Sequence, residues 1–548
     1  MTPSAQTDRF VHDRLPPAGQ WPELVYASPQ LQRLLRTPQL NLVQELLDGA
    51  CGKDFAQRPL LRSPTLTLTY AEVMDQVDRR AQVLLEDLHL TPGNRVLLRG
   101  GNSIEMALAW LAVVKARLVA VASMPMLRAK ELGDIIDKAQ PVVALCASSL
   151  LGELQLAQVL HSALKTIVLL DAQPGQESLA SLAQHKRGQF TPCPTSGDDV
   201  ALMAFTSGTT GKPKAAVHTH RDVLAACETW PRHVLRATPD DIVMGSPPLA
   251  FTFGLGGLLI FPMWAGASVY FPDVAYTPQA MARLLFETGA TICYTAPTFY
   301  RQMAACMKQE AVSRQHPARL RLCVSAGEAL PDATRQLWRD ATGLELLDGI
   351  GATEMFHIFI SAAPADVRPG SIGTVVPGYT ARVVDDEGVE LPRGLVGKLA
   401  VIGPTGCKYL DDGRQTNYVK AGWNYPGDSF KQDADGYFFY QARTDDMIIT
   451  AGYNVGAPEV EDALLKHPGV AECGVIGQPD EARGMIVKAF CVLQPGFKGG
   501  AEMVQTLQDH VKATIAPFKY PREIEFLDKL PRTETGKLQR FKLRNSIR

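Results

Sequence analysis

The chain alternates short apolar runs with longer stretches of helical spacing. Runs such as RVLLRG (95–100), PVVALCA (141–147), TIVLLDA (166–172) and TICYTAP (291–297) end in polar, Gly or Pro positions and read as buried strands. Between such runs, segments such as SIEMALAWLAVVKARLVAVA (103–122) read as helices. Strand and helix in alternation predict α/β layers, and the rhythm continues through LRLCVSAGEALP (320–331) and ELLDGIGATE (345–354). After about Gly370 the texture changes. SIGTVVPGYTARVVDDEGVELPRGLVGKLAVIG (371–403) alternates with a period of two and carries turn signals at Asp386–Gly388 and Pro392–Gly394, which predicts a small β subdomain. The last hundred or so residues read as a compact α+β unit: helix APEVEDALLKH, strands AECGVIG and VKAFCVLQ, helix MVQTLQDHVKATI. The expected fold class is therefore α/β, a large N-terminal body of several subdomains with a small C-terminal α+β domain.

At 548 residues the chain needs more than one core, about two to four units on a prior of roughly 150 residues each. From Ile242 to Pro272 there is no charge, a length that could span a bilayer. Pro247, Pro248, Gly254, Gly256, Gly257 and Pro262 interrupt it, so strand, loop and short helix inside a soluble domain is the expectation, with no membrane partner. A net charge of -2 gives no electrostatic case for nucleic acid. The ten cysteines include no CxxC pair and the N-terminal stretch has no apolar core, so reduced, mostly buried thiols in a cytoplasmic protein are expected.

The candidate chemistry begins at FTSGTTGKPKAAVHTH (205–220). Only Thr209 and Thr210 separate Gly208 from Gly211, and Pro213 follows Lys212, so the Walker spacing fails. What remains still suits phosphate: glycines for close backbone approach, hydroxyls of Thr206, Ser207, Thr209 and Thr210, and the cations Lys212 and Lys214.

TSGTTGKPK resembles the phosphate loop of the adenylate-forming enzymes, which include acyl-CoA synthetases, peptide-synthetase adenylation domains and beetle luciferases. SAGEALP (325–331), LDGIGATE (347–354), NYPGD (424–428), ARTDDMIITAG (442–452) and PRTETGK (531–537) resemble further motifs of that family in the same order. The resemblance implies ATP, Mg²⁺ and coenzyme A. Thr206–Lys212 would hold the outer phosphates. Ala326, Gly327, Glu328 and the strand end Asp348, Gly349, Ile350 would line the adenine side beside Thr353. Glu354 would ligate the metal, Asp428 and Arg443 would grip the ribose, and Lys537 would bridge carboxylate and α-phosphate. Such a reaction sets one anion against another, so positioning and neutralisation matter more than a base. The resemblance further implies a large domain over 1–444, a mobile small domain over 445–548, a hinge at Asp445, and Gly452, Tyr453 and Asn454 on the coenzyme A side. Departures from the family pattern stand at Ala215, Ala442 and Ile449.

PPLAFTFGLGGLLIFPMWAGA, TAPTFYRQM and DGIGATEMFHIFIS are similar to the aryl-CoA ligases of the benzoate and 2-aminobenzoate type. That similarity implies an aryl slot from Phe251, Thr252, Phe253, Gly254, Tyr294, Gly351, His357 and Ile358. The expected function is 2-aminobenzoate–CoA ligase. The alternatives are a ligase for benzoate, another aryl acid or a short-chain acid, a freestanding enzyme loading an acyl carrier, and, in a different class, a nucleotide-binding protein without chemistry or an oxygenase. Monomer and homodimer are both compatible with the sequence.

Overall fold

A computed structural model describes residues 4–171, 176–206, 213–309, 319–450, 453–480, 483–532 and 538–546. Two sheets build the large body. The first runs, in spatial order, Thr166–Leu169, Val143–Cys146, Arg95–Arg99, Val119–Ser123, Val200–Thr206 and Lys214–Thr219, parallel except for the last pair. The second has nine strands, with Leu346–Gly351, Leu322–Ala326, Ile292–Thr295, Ile242–Gly245, Ser268–Tyr270 and Pro59–Arg62 as its parallel centre. Parallel strands need covering on both faces, which is why they read as unbroken apolar runs. One apolar cluster joins the helices and strands of both sheets.

The segment 103–122 is not one helix. Ser103 caps a helix Ile104–Lys115 by accepting from Met106 N, and Arg117 then turns the chain at φ +64°. Val119–Ser123 continues as a strand parallel to Arg95–Arg99. A helix buried on nearly every side and a buried strand carry the same unbroken apolar signal, and no Gly or Pro marks the boundary. The uncharged stretch resolves as strand Ile242–Gly245, the short helices Thr252–Leu255 and Phe261–Ala265 flanking a wide turn Gly256–Ile260, and strand Ser268–Tyr270. Among the described residues no helix is long and apolar enough to cross a membrane. The described cysteines are mostly buried.

A six-stranded antiparallel sheet built from Thr380–Val384 through Phe438–Arg443 follows the large sheets. From Ile448 onward the strands form their own sheet, with Val470–Asp480 against Gly484–Leu493 as its spine. The helices Ala457–Leu465 and Ala501–Thr514 pack on it over a separate apolar core. The N-terminal stretch is fastened to the body: Asp8 ion-pairs with Arg95, and Gln6 Nε2 donates to Val200 O at 2.7 Å.

Candidate active site

The site forms where strands of the nine-stranded sheet end, the place where parallel α/β sheets hold ligands. Register sets Ser325 beside Asp348 and Ala326 beside Gly349, so the residues expected on the adenine side meet on neighbouring strands. Gly327 turns away at φ +93°. Asp348 is buried and accepts from Gly349 N at 2.9 Å. Burial pushes its carboxyl up to about 7, against a downward pull from Arg335.

Beyond Gly351 the chain makes a short turn, Thr353–Met355, that places Glu354. Phe356 follows at φ +70°, ψ -49°, a sterically costly conformation of the kind concentrated at functional sites. His218 Nε2 donates to Thr353 O at 2.7 Å and thereby ties the turn to the strand Lys214–Thr219. The side chain of Glu354 is 9% exposed. Tyr409 Oη donates to Glu354 in a short hydrogen bond, Lys214 Nζ donates to Tyr409 Oη at 2.7 Å, and Lys214 stands 3.5 Å from Glu354. Burial and then the Glu354 charge push the Tyr409 phenol far above its ordinary pKa, so its proton stays in place.

Tyr409 reaches this position because residues 408–410 run beside the strand Lys214–Thr219: Val217 N donates to Lys408 O and Leu410 N to Ala215 O, both at 2.9 Å. Thr206 pairs with Lys214 across the hairpin whose connecting loop is the phosphate-loop motif. Ser207, Gly208, Thr209, Thr210, Gly211 and Lys212 of that motif lie outside the described residues, as do Gly452 and Lys537. Ala215, where the family has Gly, is a fully buried strand residue in a core cluster, so its methyl has a place.

Asp428 and Arg443 face each other across antiparallel strands. Arg443 Nη1 donates to both carboxylate oxygens at 3.2 Å and to Pro426 O at 2.9 Å. Burial pulls the arginine pKa down, but Asp428 outweighs it and the net shift is upward. A Cβ at Gly427, which has φ +84°, would stand 2.8 Å from Arg443 Nη2, so the turn needs glycine twice over.

The expected aryl side is an aromatic cage. His357 lies 4.6 Å from Phe261, 5.3 Å from Trp230 and 5.5 Å from Phe253, ring centre to ring centre, and Phe253 meets Tyr294 edge-on at 5.7 Å. A Cβ at Gly256 would come within 2.6 Å of the His357 ring, and one at Gly257 within 2.7 Å of the Tyr294 ring. Burial pulls the His357 pKa down to about 3, so the ring is neutral. The His357 ring faces the Phe253 backbone, and neither the Tyr294 hydroxyl nor the Trp230 indole N–H has a hydrogen bond among the described residues. Gly351 passes so close to His357 O that a Cβ would stand at 2.6 Å, and Ile358 packs on Gly349. Phe251 and Thr252 instead border a cavity of about 10 Å³ with Ala204, Ala250 and Leu255, on the side of the six-stranded sheet. Gly254 is pressed against the carbonyls of Pro247 and Pro248.

Asp445 lies in the short turn Thr444–Asp446 between the Arg443 strand and the C-terminal sheet. Tyr453 and Asn454 open the strand Tyr453–Val455, in register with Thr450 and Ile449. Sequence reasoning missed Tyr409, Trp230 and Phe261. Tyr409 and Trp230 stand outside the motifs and Phe261 is one apolar residue among many in its stretch, so their places emerge only from strand neighbours and ring packing.

Residues 50–408 match the family of AMP-binding enzymes, and residues 459–537 match the AMP-binding enzyme C-terminal domain. The chain is 35% identical to a benzoate–CoA ligase of Thauera aromatica over 98% of each chain. It superposes on the crystal structure of the anthranilate CoA ligase AuaEII in complex with anthranoyl-AMP with a TM-score of 0.88, at 34% identity over 94% of this chain and 98% of that one. For a benzoate CoA ligase from Burkholderia xenovorans LB400 the values are 0.83 and 30%, over 92% and 100%.

Proposed function

This chain belongs to the AMP-binding enzyme family, and from that premise we propose that it joins 2-aminobenzoate (anthranilate) to coenzyme A. The reaction class is that of an AMP-forming acid–CoA ligase, and its setting is that of the aryl-CoA ligases close to the benzoate enzymes. The acid's carboxylate attacks the α-phosphorus of ATP and pyrophosphate leaves. The thiol of coenzyme A then attacks the acyl carbon and AMP leaves.

In this reading Lys214 and the phosphate-loop residues neutralise the outer phosphates, Asp428 and Arg443 hold the ribose, and Lys537 bridges the reacting anions. Glu354 offers hard carboxylate oxygens, which fits a Mg²⁺ held by one carboxylate and the nucleotide's own oxygens. When bound, the metal supplies charge neutralisation on the phosphates. We place the domain boundary at residues 444 and 445, with Asp445 as the hinge that lets the small domain serve the two steps in turn.

The observation that carries the choice of acid is the neutral, buried His357 within an aromatic cage, with Phe253 packed between its ring and that of Tyr294. A planar ring suits the cage, and a neutral imidazole offers a lone pair that an ortho-amino donor satisfies and an unsubstituted ring does not. The similarity to an anthranilate ligase supports this reading. Pyrophosphate release and thioester formation across benzoate, its ortho-, meta- and para-amino and hydroxy derivatives and short fatty acids test it. We expect kcat/KM for 2-aminobenzoate to exceed that for benzoate by about tenfold, one hydrogen bond's worth. Equal or better use of benzoate would return the protein to the benzoate ligases, and transfer to an acyl carrier but not to coenzyme A would move it to the loading enzymes.

A further inference from the structure

Among the described residues, polar contacts join the small domain to the large one, and one arginine divides its donors between them. Arg532 Nε and Nη2 donate to Glu472 Oε2, within its own domain, at 3.0 and 2.7 Å. Its Nη1 donates across the boundary to Thr298 Oγ1 at 3.4 Å and stands 3.8 Å from Glu328 Oε1. Thr298 Oγ1 in turn donates to Glu328 Oε2 at 2.8 Å. Glu328 is therefore held by its side chain at the domain boundary, directly after Ala326 and Gly327 of the adenine side. On the small-domain face, Arg532 bridges Leu538 and Gln539 N donates to Pro531 O at 2.9 Å, which closes the base of the segment bearing Lys537. A second contact is independent of the first. The helix Asp332–Thr342 begins after Pro331 without a side-chain cap of its own, and Ala333 N donates to Asp462 Oδ1 of the small domain at 3.2 Å.

We propose that Arg532 is a positioning residue for adenylate formation: it clamps the base of the Lys537 segment to Thr298 and Glu328, and Asp462 supports the same docking by capping the helix Asp332–Thr342. Both contacts must break before a rotated small domain can serve thioester formation. The proposal rests on the reading that Lys537 acts in the first step. A fork shared between two carboxylates and a hydroxyl on opposite domains fixes orientation in a way a single point charge does not.

The test measures two half-reactions separately: acyl-AMP formation from acid and ATP, and thioester formation from supplied acyl-AMP and coenzyme A. Arg532→Gln is expected to lower kcat of the first by about tenfold or more, with KM for ATP little changed, and to leave the second within about threefold. Arg532→Lys should recover part of the loss, and Asp462→Asn should show a smaller loss in the same step. In a Glu328→Gln background the Arg532→Gln penalty should shrink, because the pair is coupled. Equal loss in both half-reactions, or undiminished loss in the Glu328→Gln background, overturns the proposal. Lys537→Ala is run alongside: if it spares adenylate formation, the assignment of Lys537 has failed, while the selectivity and coupling of the Arg532 variants still decide whether Arg532 serves the first step.

Discussion

Replacing Tyr409 by Phe removes one oxygen and leaves the ring, which packs edge-on to Tyr418 at 5.8 Å and under the Lys214 ammonium at 4.8 Å. The lost oxygen has two jobs. It donates to Glu354 and accepts from Lys214 Nζ at 2.7 Å. Without it Lys214, already 3.5 Å from Glu354, is free to close directly on the carboxylate, which then loses a neutral, directional donor and gains a competing cation. A hydrogen bond to a charged group is worth about 1.5–3 kcal/mol net, so about 2 kcal/mol, or roughly 30-fold in kcat/KM for adenylate formation, is the expected loss. The assay is pyrophosphate release at fixed ATP and acid over a Mg²⁺ titration, with isothermal titration of a nonhydrolysable ATP analogue at each Mg²⁺ level as a readout independent of turnover. The half-saturating Mg²⁺ concentration should rise in both measurements, while thioester formation from supplied acyl-AMP stays unchanged. If Tyr409→Phe melts like the parent and shifts neither the Mg²⁺ dependence nor kcat/KM by more than about twofold, the arrangement around Glu354 does not prepare a metal site, and the reasoning from its geometry is wrong.

Two further outcomes follow from other parts of the site. Asp348, whose carboxyl is raised from 3.8 to about 7, keeps a proton in the folded state that the unfolded chain has lost, so it withdraws stability as pH rises from about 4 through 7. Asp348→Asn should therefore stabilise the protein at pH 8 by up to about 4 kcal/mol, with the gain fading toward pH 4; urea unfolding at several pH values checks this, and a pH-independent difference would count against it. Gly257→Ala, with a Cβ forced to within 2.7 Å of the Tyr294 ring, should cost about 1–3 kcal/mol of stability and raise KM for the aryl acid while sparing KM for ATP. Thermal melts and acid titrations of pyrophosphate release measure the two effects, and an unchanged KM for the acid would remove Tyr294 from the acid side.

The strands were legible because buried parallel strands are unbroken apolar runs. The one clear failure, at 103–122, came where a fully buried helix passes into a fully buried strand and the pattern has no period to read. Local motifs marked Asp428, Arg443 and Glu354 as candidates, and the structure adds their neighbours: Asp428 pairs with Arg443, and Glu354 meets Tyr409 and Lys214. Tyr409 and Trp230 were not marked, because their partners lie in distant segments and a lone tyrosine or tryptophan bears no sign of what it will face; nor did the motif PRTETGK show that its Arg532 would reach Thr298. Glu328 shows the same limit from the other side. Its motif fixed where the backbone goes but not that the side chain would turn to Thr298 and Arg532.

The way the two domains are joined bears on how one chain can serve two chemical steps. Among the described residues each apolar cluster stays on its own side: the C-terminal clusters contain nothing before Ile448, and the large central cluster with its packed neighbours nothing after Tyr440. Polar contacts that cross include those of Arg532 and Asp462 and the donation of Arg301 Nε to Ala471 O at 3.3 Å. An apolar interface would lose about 25 cal/mol for each Å² exposed on rotation and would trap one pose. Hydrogen bonds exchanged with water change by about 1 kcal/mol each, so two poses joined by contacts of this kind can lie close enough in free energy for both to be visited in a turnover. Asp428 and Arg443 are locked to each other within one sheet, and Arg443 ends the strand that leads into Thr444–Asp446. Asp446 is in turn ion-paired with Arg544 of the last helix. The chain therefore passes from the fixed Asp428–Arg443 pair to a small-domain anchor within three residues, Arg443 to Asp446. In the proposed mechanism, a rotation about Asp445 would move everything beyond that turn while leaving Asp428 and Arg443 where they are.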